Sequence, residues 1–220
     1  MVCRSAPEVA FISAAFESNL FIMKAYVFSI AAIIGLLTVP SSRAPKSTIV
    51  LAGGCFWGVE AVFEHVRGVK SVTSGYATPD VGRADSVKPG HAGVAEAVRV
   101  EYDSTQISYQ QLLQVFFLVA HDPTQIDRQG PDIGPRYRSI VFVRNEQERS
   151  LALSAIDSLR AGRAYPAPIV TEVVTLRSFV IAEPFHQDFV ANNPRSGYVV
   201  AIDIPKLEHL RAKFPALFRQ

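Results

Sequence analysis

The chain has 220 residues, of which 49% are hydrophobic and 19% are charged, and its formal net charge is +2. A chain of this length forms one domain or two small ones and can bury a sizeable core. The composition excludes collagen-like, coiled-coil and disordered proteins, and neither the charge nor any basic run indicates a nucleic-acid partner. Two cysteines, Cys3 and Cys55, are too few for a disulfide framework or a four-cysteine zinc site.

The first 44 residues are strongly apolar and carry the three parts of a secretory signal. Lys24 supplies a positive start, residues 25–39 contain no charge, and Ser42 and Ala44 are small residues two positions apart. The uncharged run is short for a membrane span, which needs about 20 apolar residues. The pattern predicts cleavage after Ala44 and a start of translation at Met23.

This pattern divides the chain into three segments. They are an upstream extension over 1–22, a signal peptide or membrane anchor over 23–44, and a folded domain over 45–220. We therefore expect an exported or periplasmic protein, membrane-anchored if the segment is retained, and a cytoplasmic one if the segment is not a functional signal. Cleavage would remove Cys3 and leave Cys55 as the only thiol of the mature protein.

The rest of the chain alternates strand and helix patterns. Strands are predicted over 48–52, 69–76, 94–102, 139–143 and 171–176, and helices over 55–66, 109–120, 146–161 and 207–214. A capping box of Ser108 and Gln111 begins the second helix. The stretches 77–93 and 121–138 are polar and are predicted to be loops. The order of elements predicts an α/β fold, an α+β two-layer sandwich with a ferredoxin-like βαββαβ core and helices packed on a mixed sheet.

Cys55 follows a strand and the pair Gly53-Gly54, and it begins a helix. Free N–H groups and the helix dipole stabilise an anion at this place, so we expect a thiol with a lowered pKa that acts as a nucleophile. A small buried core residue is the alternative, and it is the commoner role of a lone cysteine. No Gly-Lys-Ser/Thr sequence follows the glycines, which argues against a phosphate-binding loop.

Two adjacent aromatic residues, Phe56 and Trp57, follow the cysteine. At the start of a helix they cannot both face the core. Either one of them lies at the surface, or the two form an apolar wall beside the thiol. Such a wall suits a methyl or thioether group.

Glu96 lies in the strand over 94–102, and alternation places it on the same face as Val98 and Val100. An acid on an apolar face is costly unless it is protonated or paired. Desolvation raises the pKa of a carboxyl group, which suits a general acid near neutral pH. The alternative is a glutamate at the sheet edge whose carboxylate reaches solvent.

The loop over 121–138 carries Asp132 and Tyr137 among ordinary turn residues. At its start, His121 is a candidate base for Cys55, although a hydrogen-bonded histidine at a helix end is the other interpretation. The remaining histidines have no metal-ligand spacing, so no metal is predicted.

Four sequence blocks resemble the peptide methionine sulfoxide reductase A family, and they occur in the family's order over about residues 48–204. The blocks are Gly54-Cys55-Phe56-Trp57-Gly58 with Glu60, Ala95-Glu96-Ala97-Val98, the stretch from His121-Asp122-Pro123 to Tyr137-Arg138-Ser139, and Ala182-Glu183 with His186-Gln187. The resemblance implies the family's α/β sandwich around a mixed sheet. It also implies reduction of methionine S-sulfoxide, free or in proteins.

The resemblance further implies roles for individual residues. Cys55 matches the nucleophile that attacks the sulfoxide sulfur and becomes a sulfenic acid, and Glu96 matches the acid that protonates the sulfoxide oxygen. The substrate-binding positions of the family are matched by Phe56, Trp57, Asp132 and Tyr137.

The sequence departs from the family's pattern in its substrate region. A family tyrosine that helps to bind the sulfoxide oxygen falls on Ala84, and a family histidine falls on Val94. A lost hydrogen bond of this kind costs about 1–3 kcal/mol if nothing replaces it, and Tyr102 or a water is a candidate replacement. Phe185 and Phe189 stand in place of two tyrosines.

Lys88 and Val199 stand where many relatives carry a recycling cysteine. The resemblance therefore implies reduction of the sulfenic acid by an external thiol, either a thioredoxin-like protein or a glutathione-type thiol, with no other cofactor. The expected partners are oxidised proteins or free methionine sulfoxide and this reductant, and a monomer is the default. Two alternatives remain, another thiol enzyme such as a peroxidase or acyl transferase, and a non-catalytic module that binds sulfoxide peptides.

Overall fold

A sheet of five strands closes into a barrel in the computed structural model, which describes residues 46–79 and 93–220. The strands of the barrel are β1 (Lys46–Gly53), β2 (Val69–Pro79), β3 (Ala95–Asp103), β6 (Ser139–Val143) and β7 (Glu172–Ile181), and a separate hairpin is formed by β4 (Arg128–Gln129) and β5 (Asp132–Ile133). The extension over 1–22, the segment over 23–44, Ala84 and Lys88 lie outside the described residues.

Helices cover the outer surface of this sheet. They are α1 (Phe56–Glu64), α2 (Tyr109–Val115), α3 (Glu146–Ala161), α4 (Phe189–Asn192) and α5 (Ile204–Lys213). α2 continues as a π-helical turn over Phe116–Ala120, and a second π-helical turn, Val199–Asp203, precedes α5. The predicted capping box is confirmed, because Ser108 and Gln111 bond each other's backbone N–H groups. No helix within 46–79 and 93–220 is long and apolar enough to cross a membrane.

The predicted mixed sheet with packed helices is confirmed, but the sheet closes into a barrel and does not form the predicted two-layer sandwich with a ferredoxin-like core. The strand order is β1-β3-β2-β7-β6, and β6 pairs again with β1. Among the strands of the described residues, only β6 and β7 run parallel, and α3 joins them. Closure comes from β7, which has 10 residues and extends beyond the predicted end at residue 176. Its last residues pair with β2, as Tyr76 with Val180 and Ala77 with Phe179.

Alternation along the strands separates two apolar clusters. Ile49 and Leu51 of β1 join the large cluster that includes side chains of α1, α2 and α3. The residues between them face the other way and form a smaller cluster built from strands alone, Val50, Ala52, Ala77, Ala95, Ala97, Ile140 and Phe142. The smaller cluster therefore fills the barrel. Four of its side chains are alanines, which allows so few strands to close around them.

Two carboxyl groups of α1 are held away from water, and they give the fold a pH dependence. Glu60 is 1% exposed, and burial raises its pKa to about 7. Burial and neighbouring carboxyl groups likewise raise the pKa of Glu64 to about 8. Between the ordinary value and these raised values the folded state binds more protons than the unfolded chain, so stability falls as pH rises through this window.

We expect Glu60→Gln to remove part of this dependence. A neutral amide carries no ionisation cost, so the variant should be more stable than the wild type at pH 8, by roughly 1–2 kcal/mol, and no more stable at pH 4. Urea unfolding at the two pH values measures the difference. A variant that loses stability equally at both would show that the Glu60 carboxylate is satisfied when ionised.

Candidate active site

The antiparallel pairing of β1 and β3 brings Cys55 and Glu96 together. Leu51 of β1 pairs with Val98 of β3. Because the strands are antiparallel, continuing this register two residues forward on β1 and two back on β3 places Gly53 opposite Glu96. Cys55 and Glu96 are each 8% exposed. The Oε2 atom of Glu96 accepts a hydrogen bond from the N–H of Phe56 at 3.4 Å, at the first residue of α1. The carboxyl group therefore sits against the helix terminus that carries the thiol.

Glycine at position 54 lets the chain turn from β1 into α1 beneath a loop. Gly54 has a φ of +94°, which side chains rarely tolerate, and a Cβ built on it would lie 2.5 Å from Cγ of Gln129. The Gln129 side chain bonds both backbone groups of Asp122, at 3.1 and 3.0 Å. The loop over 121–138, which the sequence predicts to be irregular, is thereby closed on itself, with Gln129 of its β4–β5 hairpin next to Gly54.

The thiol of Cys55 differs from the sequence-based expectation. Burial and the neighbouring Glu96 carboxylate raise its pKa to about 12. A hydrogen bond from the backbone N–H of Trp57 lowers the pKa, but by less. The expectation of a lowered pKa is therefore wrong. Position at a helix N-terminus does favour the anion, but desolvation and a carboxylate in contact with the same helix turn outweigh it.

Glu96 is buried on the face that alternation predicts, together with Val98 and Val100. Burial raises its pKa to about 7, and the Phe56 N–H and the charge of Arg136 moderate the rise. Near neutral pH a large fraction of this carboxyl group is protonated. It can therefore donate a proton to a basic oxygen that reaches the site.

The two aromatic residues after Cys55 have different environments. Phe56 is buried, 5.0 Å from the ring of His186 between centroids. Trp57 is half-buried and stacks on Phe189 with centroids 3.6 Å apart, while Tyr198 meets it edge-on at 5.8 Å. Its indole N–H donates to Nδ1 of His186 at 3.1 Å. Trp57 is thus a fixed apolar wall rather than a loose surface side chain.

Sequence reasoning assigned no role to Tyr198, which the structure places beside the site. Its hydroxyl donates to Oδ2 of Asp132 at 2.5 Å, so the C-terminal segment is tied to the β4–β5 hairpin. Asp132 in turn raises the pKa of both Cys55 and Glu96 by its charge. Tyr137 is half-buried, and charge interactions with Glu96 and Cys55 place it in the same surroundings. All six predicted site residues therefore converge, with Phe56 mainly in the core.

His121 is committed to structural hydrogen bonds. One ring nitrogen bonds the backbone O of Phe116 at 3.0 Å and the other bonds Oγ of Ser139 at 2.6 Å. Complete burial lowers its pKa to about 4, so the ring is neutral. This environment favours the interpretation of His121 as a hydrogen-bonded histidine at a helix end over its interpretation as a base for Cys55.

Tyr102 is, beside a water, the replacement that the sequence suggests for the family tyrosine at position 84, and Tyr76 is a second tyrosine of the same sheet. Tyr102 pairs with Ser47 and Val69, at the opposite end of β3 from Glu96. Tyr76 lies directly across from Glu96 in the sheet, but its hydroxyl donates to Oε2 of Glu183 at 3.1 Å. The replacement that the sequence suggests is therefore wrong for Tyr102, since it is remote from the thiol.

Within the described part of the chain, no group of three or more histidine, cysteine, aspartate or glutamate side chains could hold a metal ion. The chemistry available at the site is that of a thiol, a protonated carboxyl group and an aromatic wall.

Comparisons with known proteins agree on one family. The family model described as peptide methionine sulfoxide reductase matches residues 47–216. The chain is 47% identical over 180 residues to peptide methionine sulfoxide reductase MsrA 2 of Mesorhizobium japonicum, covering 80% of this chain and 92% of that protein. It is 47% identical over 171 residues to the MsrA of Natronomonas pharaonis, covering 76% of this chain and 95% of that protein.

Solved structures give the same result. Reduced Mxr1 from Saccharomyces cerevisiae superposes with a TM-score of 0.63 at 28% identity, covering 73% of this chain and 92% of that one. Methionine sulfoxide reductase A of Corynebacterium diphtheriae superposes with a TM-score of 0.56 at 28% identity, covering 73% and 81%. With a family model that spans most of its length and relatives at nearly half identity, this chain belongs to the peptide methionine sulfoxide reductase family.

Proposed function

We propose that this protein reduces methionine S-sulfoxide, free or in oxidised proteins, and so repairs oxidised methionine. The observation that carries the proposal is the burial of the Cys55 thiol and the Glu96 carboxyl group side by side at the start of α1. Trp57, fixed by Phe189 and His186, supplies the adjoining apolar wall. Relatives that are named for this activity match the whole domain.

In the proposed complex the substrate methyl group lies against Trp57 and the sulfoxide oxygen points to Glu96. Donation of the Glu96 proton to that oxygen makes the substrate sulfur more electrophilic and places a positive charge beside the thiol. This charge favours the thiolate, whose formation burial opposes. Burial therefore keeps Cys55 protonated, and protonation of the bound sulfoxide supplies the activation.

The reaction transfers one oxygen atom and two electrons. Cys55 sulfur attacks the sulfoxide sulfur and forms a sulfur–sulfur bond. The protonated oxygen then bonds to Cys55 sulfur as both the sulfur–oxygen bond of the substrate and the sulfur–sulfur bond break, which leaves Cys55 as a sulfenic acid. Methionine is released, and Glu96 recovers the proton that Cys55 loses. The balance is thiol plus sulfoxide giving sulfenic acid plus thioether.

An external thiol must then complete the cycle. Val199, at a position where many relatives have a recycling cysteine, is buried against Ala61 and Val190. We propose a thioredoxin-like protein or a glutathione-type thiol as the direct reductant, which releases water and restores Cys55. Enzyme turned over once without reductant should be one oxygen atom heavier by mass spectrometry and hold no intramolecular disulfide.

The deciding experiment uses the full chain with the separated S and R epimers of a methionine sulfoxide peptide and dithiothreitol. We expect methionine from the S epimer alone. Binding of the sulfoxide peptide without turnover, in a folded protein, would favour the non-catalytic module. Turnover of a peroxide or thioester but not of either epimer would favour another thiol enzyme.

Tyr198→Phe tests the link between Asp132 and the C-terminal segment. Without the hydroxyl, Asp132 keeps its charge but loses the donor that holds it, so we expect KM to rise and kcat/KM to fall by about 5- to 30-fold. Steady-state kinetics with the S epimer measure this change. Tyr165→Phe is the control, since its hydroxyl bonds the backbone O of Phe117. Unchanged kinetics in Tyr198→Phe would separate this hydroxyl from substrate binding.

We also propose export directed by the segment over 23–44, on the strength of its sequence pattern alone. N-terminal sequencing of the protein from its natural source tests this. A mature chain that begins at position 45 agrees with the proposal, and one that begins near Met1 contradicts it.

A further inference from the structure

A buried ion pair lies against the first turn of α1 and has no part in the proposed reaction. Asp203, the last residue of the second π-helical turn, is fully buried. Its Oδ1 atom is 3.4 Å from Nζ of Lys206, whose side chain is only 16% exposed. Its Oδ2 atom has no hydrogen-bond partner among the described residues.

The absence of a side chain at Gly58 makes room for this pair. A Cβ built on Gly58 would overlap Oδ1 of Asp203 and would lie 2.5 Å from Nζ of Lys206. Gly58 is three residues after Cys55, which is about one helical turn. The ion pair therefore contacts the same helix turn as the nucleophile, on the side where the C-terminal segment over 199–213 packs.

We propose that Asp203 and Lys206 are positioning residues for the reaction, because their buried pair sets the charge that Cys55 faces when its thiolate forms. This inference rests on the proposed role of Cys55. Asp203 opposes ionisation of the thiol, and Lys206 limits that opposition by pairing with the carboxylate.

Electrostatics supports this arrangement from several elements. Three carboxyl groups raise the pKa of Cys55, namely Glu96 from β3, Asp203 from the C-terminal segment and Asp132 from the β4–β5 hairpin. Tyr137 and Tyr198 also interact with the thiol by charge. Burial raises the pKa of Asp203, and Lys206 opposes this rise. Burial lowers the pKa of His121, and the charge of Lys206 adds to that effect, so the field of Lys206 reaches both sides of the turn between β1 and α1.

Stability alone does not account for the pair. Transferring two charged side chains from water into the protein interior is unfavourable, and apolar side chains of similar volume are often as stabilising in such places. A buried cation and anion beside a nucleophile, in a gap that only glycine leaves open, therefore indicate an electrostatic role.

The test compares the alkylation of Cys55 in the full chain by iodoacetate and by iodoacetamide at pH 8, read as the modified Cys55 peptide by mass spectrometry. The two reagents are similar in size and differ by one negative charge, so the ratio of their rates reports local charge and cancels accessibility. With Asp203→Asn we expect this ratio to rise about 3- to 10-fold and the iodoacetamide rate to rise about 10-fold. With Lys206→Met both should fall.

A double variant and a remote control complete the design. The double variant D203N/K206M leaves no unpaired charge to disturb folding, and its ratio should lie between those of Asp203→Asn and the wild type. Lys70→Met, which removes the partner of Asp103 at the far end of the sheet, should match the wild type. The pH dependence of sulfoxide reduction should shift in the same directions as the alkylation.

The inference is overturned if Asp203→Asn leaves the reagent ratio unchanged, or if the two single variants move it in the same direction, as simple loosening of the helix would. Alkylation needs no sulfoxide, so this outcome is separate from that of the proposed function. A wild type that alkylates as expected but reduces no sulfoxide would contradict the proposed function and leave the electrostatic result standing.

Discussion

Cys55→Ser abolishes sulfoxide reduction, with an expected loss of roughly 10⁴-fold or more in kcat. A serine hydroxyl in this buried site, beside the Glu96 carboxylate, ionises far less readily than a thiol. It also has no sulfur atom that could accept the oxygen and form a sulfenic acid. The measurement is methionine released from the S-sulfoxide peptide, with dithiothreitol as reductant. Because serine is close to cysteine in size, peptide binding should persist and can be measured on the same variant.

Cys3→Ser is the matched control, since it removes the other thiol of the chain. We expect full activity from it with dithiothreitol and with a thioredoxin-like reductant. If Cys3→Ser instead slows recycling while the first turnover is unaffected, Cys3 is retained and resolves the sulfenic acid. If Cys55→Ser retains activity, the proposed mechanism is wrong.

The positions of Cys55 and Glu96 could be predicted from local signals. A strand, two glycines and a helix fix the place of Cys55, and period-two alternation fixes the face of Glu96. The Cys55 environment could not be predicted, because the carboxylate that outweighs the helix terminus comes from a different strand. Local sequence gives the helix dipole but not the neighbour across the sheet.

The site residues from the C-terminal part of the chain could not be predicted from the sequence for a similar reason. Tyr198 directly precedes a π-helical turn, Asp203 ends this turn, and Lys206 lies in the helix after it, where the apolar spacing is irregular. Their importance lies in contacts with Asp132 and Gly58, which are far away along the chain. A glycine within an otherwise regular helix, at Gly58, was the one local sign that something packs closely there.

The closure of the sheet depended on a similar non-local effect. β7 extends past its β-branched core into Arg177–Ile181, a stretch whose side chains are half-buried or exposed. The backbone of these residues pairs with β2, and that pairing does not require buried side chains. The order of elements therefore predicts a two-layer sandwich, and the closed sheet is the result of backbone pairing.

Glu96→Gln should lower kcat by about 10²- to 10⁴-fold, because an amide cannot supply the proton that the sulfoxide oxygen needs. The wild-type rate should fall as pH rises through about 7, since the carboxyl group loses its proton there. The residual activity of the variant should lack this fall. Initial rates with the S epimer between pH 5 and 9 measure both effects, and Glu101→Gln is the control because alternation places it on the other face of β3.

The same substitution should have the opposite effect on the thiol, and this opposition separates the two roles of Glu96. Its carboxylate is the largest charge contribution that keeps the pKa of Cys55 high, so its removal should speed alkylation of Cys55 by iodoacetamide about 10-fold at pH 8. A variant that is more reactive as a thiol but less active on sulfoxide would show that proton donation, rather than thiolate formation, limits the reaction. If kcat instead stays within about threefold of the wild type, Glu96 is not the acid, and the half-buried Tyr137 becomes the candidate donor.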